Sequence, residues 1–87
     1  MELRWLPKAR EDLLRLPVRT RARIIAKMDW YVAQADPLVF AKRLTNSKLG
    51  TYRFRVGNYR VLCDVQQGTI SILFVLAVKD RKEAFRV

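Results

Sequence analysis

The sequence predicts an α+β fold in which an N-terminal helical hairpin packs on a mainly antiparallel β-sheet. Two stretches before residue 36 place apolar residues three and four apart, which is the spacing of a helix face. Beyond residue 50, apolar and basic residues alternate on both sides of Gly57 and Asn58, which indicates two strands joined by a tight turn. A second turn and a long apolar stretch then supply a further strand.

The N-terminal region is predicted to form a short strand and two helices. The strand covers residues 3–6 and ends at Pro7. The first helix covers residues 8–16, with Pro7 suited to its first turn and Pro17 ending it. The second helix covers about residues 18–34, and the two helices together form a hairpin that packs on the sheet.

The second predicted helix carries an apolar stripe and a separate basic face. The stripe consists of Ile24, Ile25, Met28, Tyr31, Val32 and Ala35. Arg19, Arg23 and Lys27 lie four apart on a different face, which is either solvated or in contact with a polyanionic partner. Trp30 lies off the stripe, so it either packs against the helical hairpin or marks a contact surface.

The segment between the helices and the alternating region is predicted to form a short helix and a loop. Asp36 and Pro37 are typical of a helix start, with Asp36 as the N-cap and Pro37 at the first position. One or two helical turns over residues 38–44 follow. Residues 45–50 then form a loop that leads into the first strand of the hairpin.

The alternating region predicts a hairpin whose two faces differ in chemistry. With Gly57 and Asn58 as the turn, the cross-strand pairs are Val56–Tyr59, Arg55–Arg60, Phe54–Val61 and Arg53–Leu62. Cross-strand partners share a face of the sheet. Phe54, Val56, Tyr59 and Val61 therefore form one face, and the three arginines share the other.

Three arginines on one face form either a solvated basic surface or a binding site. Like charges that face each other destabilise a strand pair, and the nearest carboxylate in sequence is Asp64. Guanidinium groups match the oxygens of a phosphate group in pairs. The pattern therefore favours a phosphate-binding site formed by Arg53, Arg55 and Arg60.

A second turn at Gln67 and Gly68 predicts a strand over residues 69–79. A two-residue turn there gives the pairs Val65–Ile70, Cys63–Ile72 and Val61–Phe74, which sets apolar residues opposite one another. This register places Leu73, Val75, Ala77 and Lys79 on the face that carries Arg60. Arg81, next in the same phase, then extends the arginine face beyond the strand.

Composition limits the classes of function. The 87 residues suit one domain, residues 1–87, and the formal net charge of +10 favours polyanionic partners. There is no histidine and the one cysteine, Cys63, suits a buried position, so we expect neither a metal site nor a cofactor. No secretory signal or membrane span is visible, so we expect a cytoplasmic protein without a membrane partner.

Three segments of the chain resemble the RelE/ParE superfamily of toxins from type II toxin–antitoxin systems. They are residues 52–61, which read YRFRVGNYRV, residues 78–85, which read VKDRKEAF, and residues 8–17, which read KAREDLLRLP. The resemblance covers essentially the whole chain, and it implies a RelE-like fold with a curved antiparallel sheet. It also implies a ribosome-dependent endoribonuclease that cuts mRNA by attack of a ribose 2′-hydroxyl on the adjacent phosphate.

The resemblance assigns roles to particular positions. Arg53 and Arg55 match the family's basic pair in the first hairpin strand. Arg60 matches the arginine that follows the hairpin turn in the family, and Arg81 matches the arginine that follows the last strand. Phe85 stands where the family usually has a catalytic tyrosine, and it has no hydroxyl with which to transfer a proton. The basic side chains expected to contact RNA or the ribosome are Lys42, Arg43, Lys48, Lys79 and Lys82.

The resemblance also implies partners and leaves alternatives open. The expected partners are the ribosome, mRNA and a cognate antitoxin with an acidic or amphipathic C-terminal segment that covers the basic groove. Phe85 fits better a ParE-like toxin that is not a nuclease and binds DNA gyrase, whereas the arginine-rich hairpin fits better the nuclease. A third alternative is a catalytically weak or inactive module that binds RNA or the antitoxin.

Overall fold

The computed structural model of the chain describes residues 1–45 and 50–84, and of residues 83 and 84 the backbone alone. Within these residues, five strands and three helices follow one another, with a 3₁₀ helix after the second helix. The strands are β1 (Glu2–Trp5), β2 (Lys42–Arg43), β3 (Tyr52–Val56), β4 (Tyr59–Gln66) and β5 (Ile72–Asp80). The helices are α1 (Pro7–Leu14), α2 (Val18–Val32) and α3 (Arg81–Ala84), and the 3₁₀ helix covers Pro37–Phe40.

The five described strands form a mixed sheet in the order β1-β5-β4-β3-β2. β1 is parallel to β5, and the other neighbouring pairs are antiparallel. α1 and α2 cover one face of the sheet, where their apolar residues meet those of β3, β4 and β5. The buried core consists of Ala9, Leu13, Ile24, Met28, Tyr31, Phe54, Val56, Val61, Cys63, Leu73, Val75 and Val78. The predicted α+β class and the mainly antiparallel sheet are confirmed.

The two long helices follow the predicted apolar spacing but end earlier than predicted. α1 buries Ala9 and Leu13 against the sheet, and α2 begins directly after Pro17. The predicted stripe of α2 faces the core, except that Ala35 lies beyond the helix end and is exposed. None of the described helices is long and apolar enough to cross a membrane.

The helical start predicted at Asp36 and Pro37 is present, but the extent predicted for this helix, residues 38–44, is wrong. The chain instead forms the 3₁₀ helix Pro37–Phe40, and the side chain of Asp36 makes no capping hydrogen bond. Lys42 and Arg43 then form an edge strand, in which Lys42 pairs with Arg53 and Arg43 pairs with Tyr52. Tertiary pairing with β3 thus overrides the local helix signal, because two residues in a ladder satisfy backbone groups that an isolated helical turn leaves open.

The first hairpin forms in the predicted register. Arg53 pairs with Leu62, Phe54 with Val61, Arg55 with Arg60 and Val56 with Tyr59. Gly57 adopts φ +58°, a left-handed conformation that glycine accepts without a Cβ penalty, which allows the two-residue turn. Phe54, Val56, Tyr59 and Val61 face α1 and α2, and the arginines lie on the opposite face of the sheet, called the basic face below.

The predicted register of the second hairpin is wrong. Val65 pairs with Leu73 and Cys63 with Val75, because β5 begins at Ile72 rather than directly after a two-residue turn. Leu73 and Val75 consequently lie in the core, fully buried, and not on the basic face. Residues 72–78 are all apolar, so the alternation that fixed the first hairpin gave no information here.

A bulge in β5 nevertheless returns Lys79 to the predicted face. The register shifts between Leu62 and Cys63, so that Leu62 pairs with Ala77 while Cys63 pairs with Val75, and Leu76 is the extra residue. An extra residue reverses the alternation beyond it. Ala77 and Lys79 therefore lie on the basic face, as predicted, although the residues before the bulge do not.

A carboxylate of α1 continues the edge of β5 where β1 ends. β1 pairs with β5 only as far as Val75. Beyond that point the backbone N–H of Val78 donates a hydrogen bond of 2.9 Å to Oδ2 of Asp12. Oδ1 of the same carboxylate pairs with Lys8, one turn earlier on α1. Asp12 is buried. Through this hydrogen bond its carboxylate takes the place of a strand partner for Val78, the residue just before Lys79.

Candidate functional site

Three cations form a row across the centre of the basic face. Arg55 of β3 pairs with Arg60 of β4, and Arg60 pairs with Lys79 of β5. Neighbouring strands lie about 4.8 Å apart, so the backbone positions of this row span roughly 10 Å. Lys42 pairs with Arg53 two residues along, which adds a second pair of cations on the same face. We call Arg55, Arg60 and Lys79 the cationic row.

Arg60, at the centre of the cationic row, is buried without acceptors for part of its guanidinium group. The residue is 6% exposed. Its Nε and Nη1 atoms are shielded from solvent and donate no hydrogen bond to the described residues. Burial lowers the pKa of Arg60, and the charges of Arg53, Arg55 and Arg81 lower it further. Since a buried charge is ordinarily paired, an anion that binds here would supply acceptors the described protein does not.

Arg81 reaches the same site from the end of β5. It is the first residue of α3, and its backbone N–H donates a hydrogen bond of 2.8 Å to the carbonyl oxygen of Asn58 in the hairpin turn. Arg81 and Lys82 are exposed and line a cavity of about 430 Å³ beside the turn. The short helix thus holds Arg81 close enough to Arg60 for their charges to interact.

The structure brings most of the sequence-predicted site residues together and separates one of them. Arg53, Arg55, Arg60, Lys79 and Lys42 share the basic face, with Arg81 and Lys82 at its edge. Arg43 pairs with Tyr52, so it lies on the opposite side of the sheet from Lys42. Lys48 and Phe85 lie outside the described residues.

The described tyrosine hydroxyls and the cysteine thiol lie away from the basic face. Tyr52 and Tyr59 are on the helix-covered face. Tyr31 donates a hydrogen bond of 2.8 Å to the carbonyl oxygen of Arg55, and burial raises the pKa of its hydroxyl. Burial and the neighbouring Asp64 charge raise the pKa of the Cys63 thiol, which keeps it protonated.

The nearest carboxylate along β4 on the basic face is Asp64. It lies four residues from Arg60, or about 13 Å along the strand. Its Oδ1 accepts a hydrogen bond of 2.8 Å from the Thr51 hydroxyl. The described part of the site therefore offers concentrated positive charge rather than acid–base chemistry.

A second cationic region adjoins Arg55 and was not predicted as part of the site. Arg23, Lys27 and Trp30 of α2 line a cavity together with Arg55 and Gly57. The four-residue spacing of the basic side chains was visible in the sequence, but the approach of that helix face to the hairpin turn was not. A periodic pattern shows which residues share a face and gives no information about what that face meets.

Comparisons with known proteins agree with the fold. The family model described as the ParE toxin of the type II toxin–antitoxin system parDE matches residues 3–85. The fold is similar to the RelBE2 toxin–antitoxin complex of Mycobacterium tuberculosis, with a TM-score of 0.74, 29% identity, and coverage of 92% of this chain and 96% of that chain. It is also similar to the RelB–RelE antitoxin–toxin complex of Methanococcus jannaschii, with a TM-score of 0.63, 23% identity, and 94% coverage of each chain. No curated protein sequence matches the chain.

Proposed function

Because the chain belongs to the ParE toxin family of type II toxin–antitoxin systems, within the RelE/ParE superfamily, we propose that it is a toxin that cuts mRNA on the ribosome. The observation that carries this proposal is the buried guanidinium of Arg60, which lacks described acceptors and is surrounded by Arg53, Arg55 and Arg81. Such a cluster suits a group with more negative charge than a carboxylate. A phosphate diester undergoing attack is such a group.

The proposed reaction is transfer of the RNA phosphate to the neighbouring 2′-hydroxyl. The 2′-oxygen forms a bond to phosphorus as its proton leaves, and the bond from phosphorus to the 5′-oxygen breaks as that oxygen gains a proton. The products are a 2′,3′-cyclic phosphate and a 5′-hydroxyl end. Arg60 and Arg81 stabilise the extra charge of the transition state, while Arg53 and Arg55 hold the phosphate in position.

Phe85 makes proton transfer the weak step of this mechanism. We predict that Phe85→Tyr raises the rate of mRNA cleavage several-fold, because a phenolic hydroxyl would stand where related toxins carry one. The measurement is the rate of cleavage of programmed ribosomes by purified protein. Phe85→Leu is the matched control, because it also changes the side chain but adds no hydroxyl. A rate for Phe85→Tyr that equals or falls below that of the parent protein would show that another group transfers the proton.

A second candidate function rests on the family match itself. The matching family model is that of ParE toxins, and Phe85 lacks the hydroxyl expected of a nuclease. A toxin without ribonuclease activity that binds DNA gyrase is therefore the alternative. In that function the cationic row would contact DNA or an acidic surface of the enzyme.

The proposed partners follow from the charge of the site. Both structural relatives are complexes of a toxin with its antitoxin, so we propose a cognate antitoxin whose acidic or amphipathic C-terminal segment covers the basic face. Association of such a segment with a chain of formal charge +10 should become slower as salt increases. A toxin that acts on ribosomes works in the cytoplasm.

The test of the proposed function is induction of this chain alone in a bacterial host, followed within minutes by primer extension on an abundant mRNA. We expect growth arrest and discrete cuts within codons, which disappear when the start codon of the reporter mRNA is removed. Growth arrest with intact mRNA would contradict the nuclease and support gyrase, to be checked by a supercoiling assay. The absence of both arrest and cuts would leave a binding module.

A further inference from the structure

A cavity of about 480 Å³ lies where α2 passes the turn between β3 and β4. Arg23, Lys27 and Trp30 line its helix side, and Arg55 and Gly57 line its hairpin side. This volume is within the range of sites that bind small molecules, about 300–1,000 Å³. The described lining residues include three cations and no carboxylate.

The two cations from α2 are held at the cavity. A Cβ atom added to Gly57 would lie 3.3 Å from Nη2 and 3.5 Å from Cζ of Arg23, so this guanidinium group lies against the hairpin turn. Nζ of Lys27 lies 4.3 Å from the centroid of the Trp30 ring. Neither cation forms an ion pair with a carboxylate of the described residues.

Trp30 provides an aromatic wall whose position is fixed. Its ring makes edge contacts with Tyr31, at a centroid distance of 5.6 Å, and with Phe40, at 5.3 Å. The residue nevertheless stays 45% exposed. Nucleobases stack on exposed aromatic rings of this kind in proteins that bind single strands.

Arg55 connects this cavity to the cationic row. Its side chain is exposed, it pairs with Arg60 across the strands, and it also lines the cavity. β2 covers β3 only at Tyr52 and Arg53, and beyond β2 the strand edge meets α2, where the Tyr31 hydroxyl donates a hydrogen bond to the carbonyl oxygen of Arg55. Positive charge therefore continues from Arg60 around the edge of the sheet to Arg23 and Lys27.

We infer that the cavity is a second nucleotide subsite for single-stranded RNA. Trp30 stacks on a base, and Arg23 and Lys27 bind a phosphate next to the one held by Arg55. This inference rests on the proposed function, since it extends the RNA path of the same site. An aromatic wall with cations favours a nucleotide over an acidic peptide, which would use the charges and make no stacking contact with Trp30.

The test is binding of a fluorescein-labelled hexaribonucleotide with 2′-O-methyl groups, which cannot be cut, measured by fluorescence anisotropy. We expect Trp30→Ala to weaken binding roughly tenfold and Trp30→Phe to restore most of it, because phenylalanine also stacks. Arg23→Gln and Lys27→Gln should each weaken binding and reduce the slope of log affinity against log salt by about 0.7. In a Trp5→Phe background, RNA should quench the fluorescence of Trp30.

The matched control is Arg10→Gln, which removes one charge from the exposed face of α1. It should leave both the affinity and the Trp30 quenching close to those of the parent protein. Equal losses for Arg10→Gln and Arg23→Gln would mean that only net charge matters and would overturn the subsite. The subsite would also be overturned if polyglutamate bound at Trp30 and RNA did not. That result would assign the cavity to an acidic protein segment.

The two proposals fail in different ways. If ribosomal mRNA stays intact but the uncleavable RNA still binds in a manner that depends on Trp30, the proposed function is wrong and the subsite stands. If mRNA is cut and the Trp30 and Arg23 variants bind and cut like the parent protein, the subsite is wrong and the nuclease stands. Thermal melting of each variant shows whether a loss of binding reflects a loss of fold.

Discussion

Arg60→Met should increase the free energy of unfolding by about 1–3 kcal/mol and reduce mRNA cleavage by about 100-fold or more. The gain in stability is expected because methionine fills the space of the arginine stem without a buried charge. Arg60 has Nε and Nη1 without described acceptors, and three neighbouring arginines repel it. The loss of cleavage is expected because the same charge would stabilise the phosphate as it is attacked.

Urea denaturation and the rate of cleavage of programmed ribosomes measure the two effects separately. Arg10→Met is the matched control, since Arg10 is exposed on α1, and it should change neither quantity appreciably. A lower stability for Arg60→Met would show that the guanidinium group is paired in solution. If Arg60→Met gained stability but still cut mRNA within threefold of the parent rate, the buried charge of Arg60 would be destabilising as argued. Arg60 would then have no role in the reaction.

Asp12→Ala should lower the free energy of unfolding by about 3 kcal/mol. The substitution removes the acceptor of the buried Val78 N–H, which then has no partner on its side of β5. It also removes the ion pair with Lys8, whose contribution is small because that lysine is largely exposed. Asp12→Asn keeps an oxygen acceptor, so its loss should be smaller.

Urea denaturation measures this stability, and hydrogen exchange followed by NMR measures the local effect. The amide proton of Val78 should exchange much faster in Asp12→Ala than in the parent. Glu11→Ala is the control, because it removes the neighbouring carboxylate, which is exposed. Equal losses for Glu11→Ala and Asp12→Ala would mean that general charge on α1, and not the bond to Val78, is responsible.

The first hairpin could be predicted from sequence because two independent signals agree there. The turn at Gly57 and the alternation of residues 52–56 and 59–63 specify the same register, and the structure has it. That register alone places Arg53, Arg55 and Arg60 on one face. The shared face of these arginines therefore follows from local pattern, without knowledge of the helices.

The remainder of the site depends on contacts that the pattern does not contain. Residues 72–78 are apolar in both phases, so neither the register of β5 nor its bulge at Leu76 could be read from alternation. The lack of a described acceptor for Arg60 is a property of its surroundings. The approach of Arg23 to Gly57 joins two segments more than 30 residues apart in the chain.

The two connections of the antiparallel sheet should differ in how far they tolerate a change of length. The turn at Gly57 and Asn58 touches Arg23 of α2 on one side and Arg81 of α3 on the other. A residue inserted there would move both arginines relative to Arg60, and surface loops ordinarily accept insertions without such a consequence. The connection between β4 and β5, residues 67–71, has exposed residues at 67–70 and lies at the far end of the strands from the cationic row. Related chains should therefore vary in length at the second connection and keep the first at two residues.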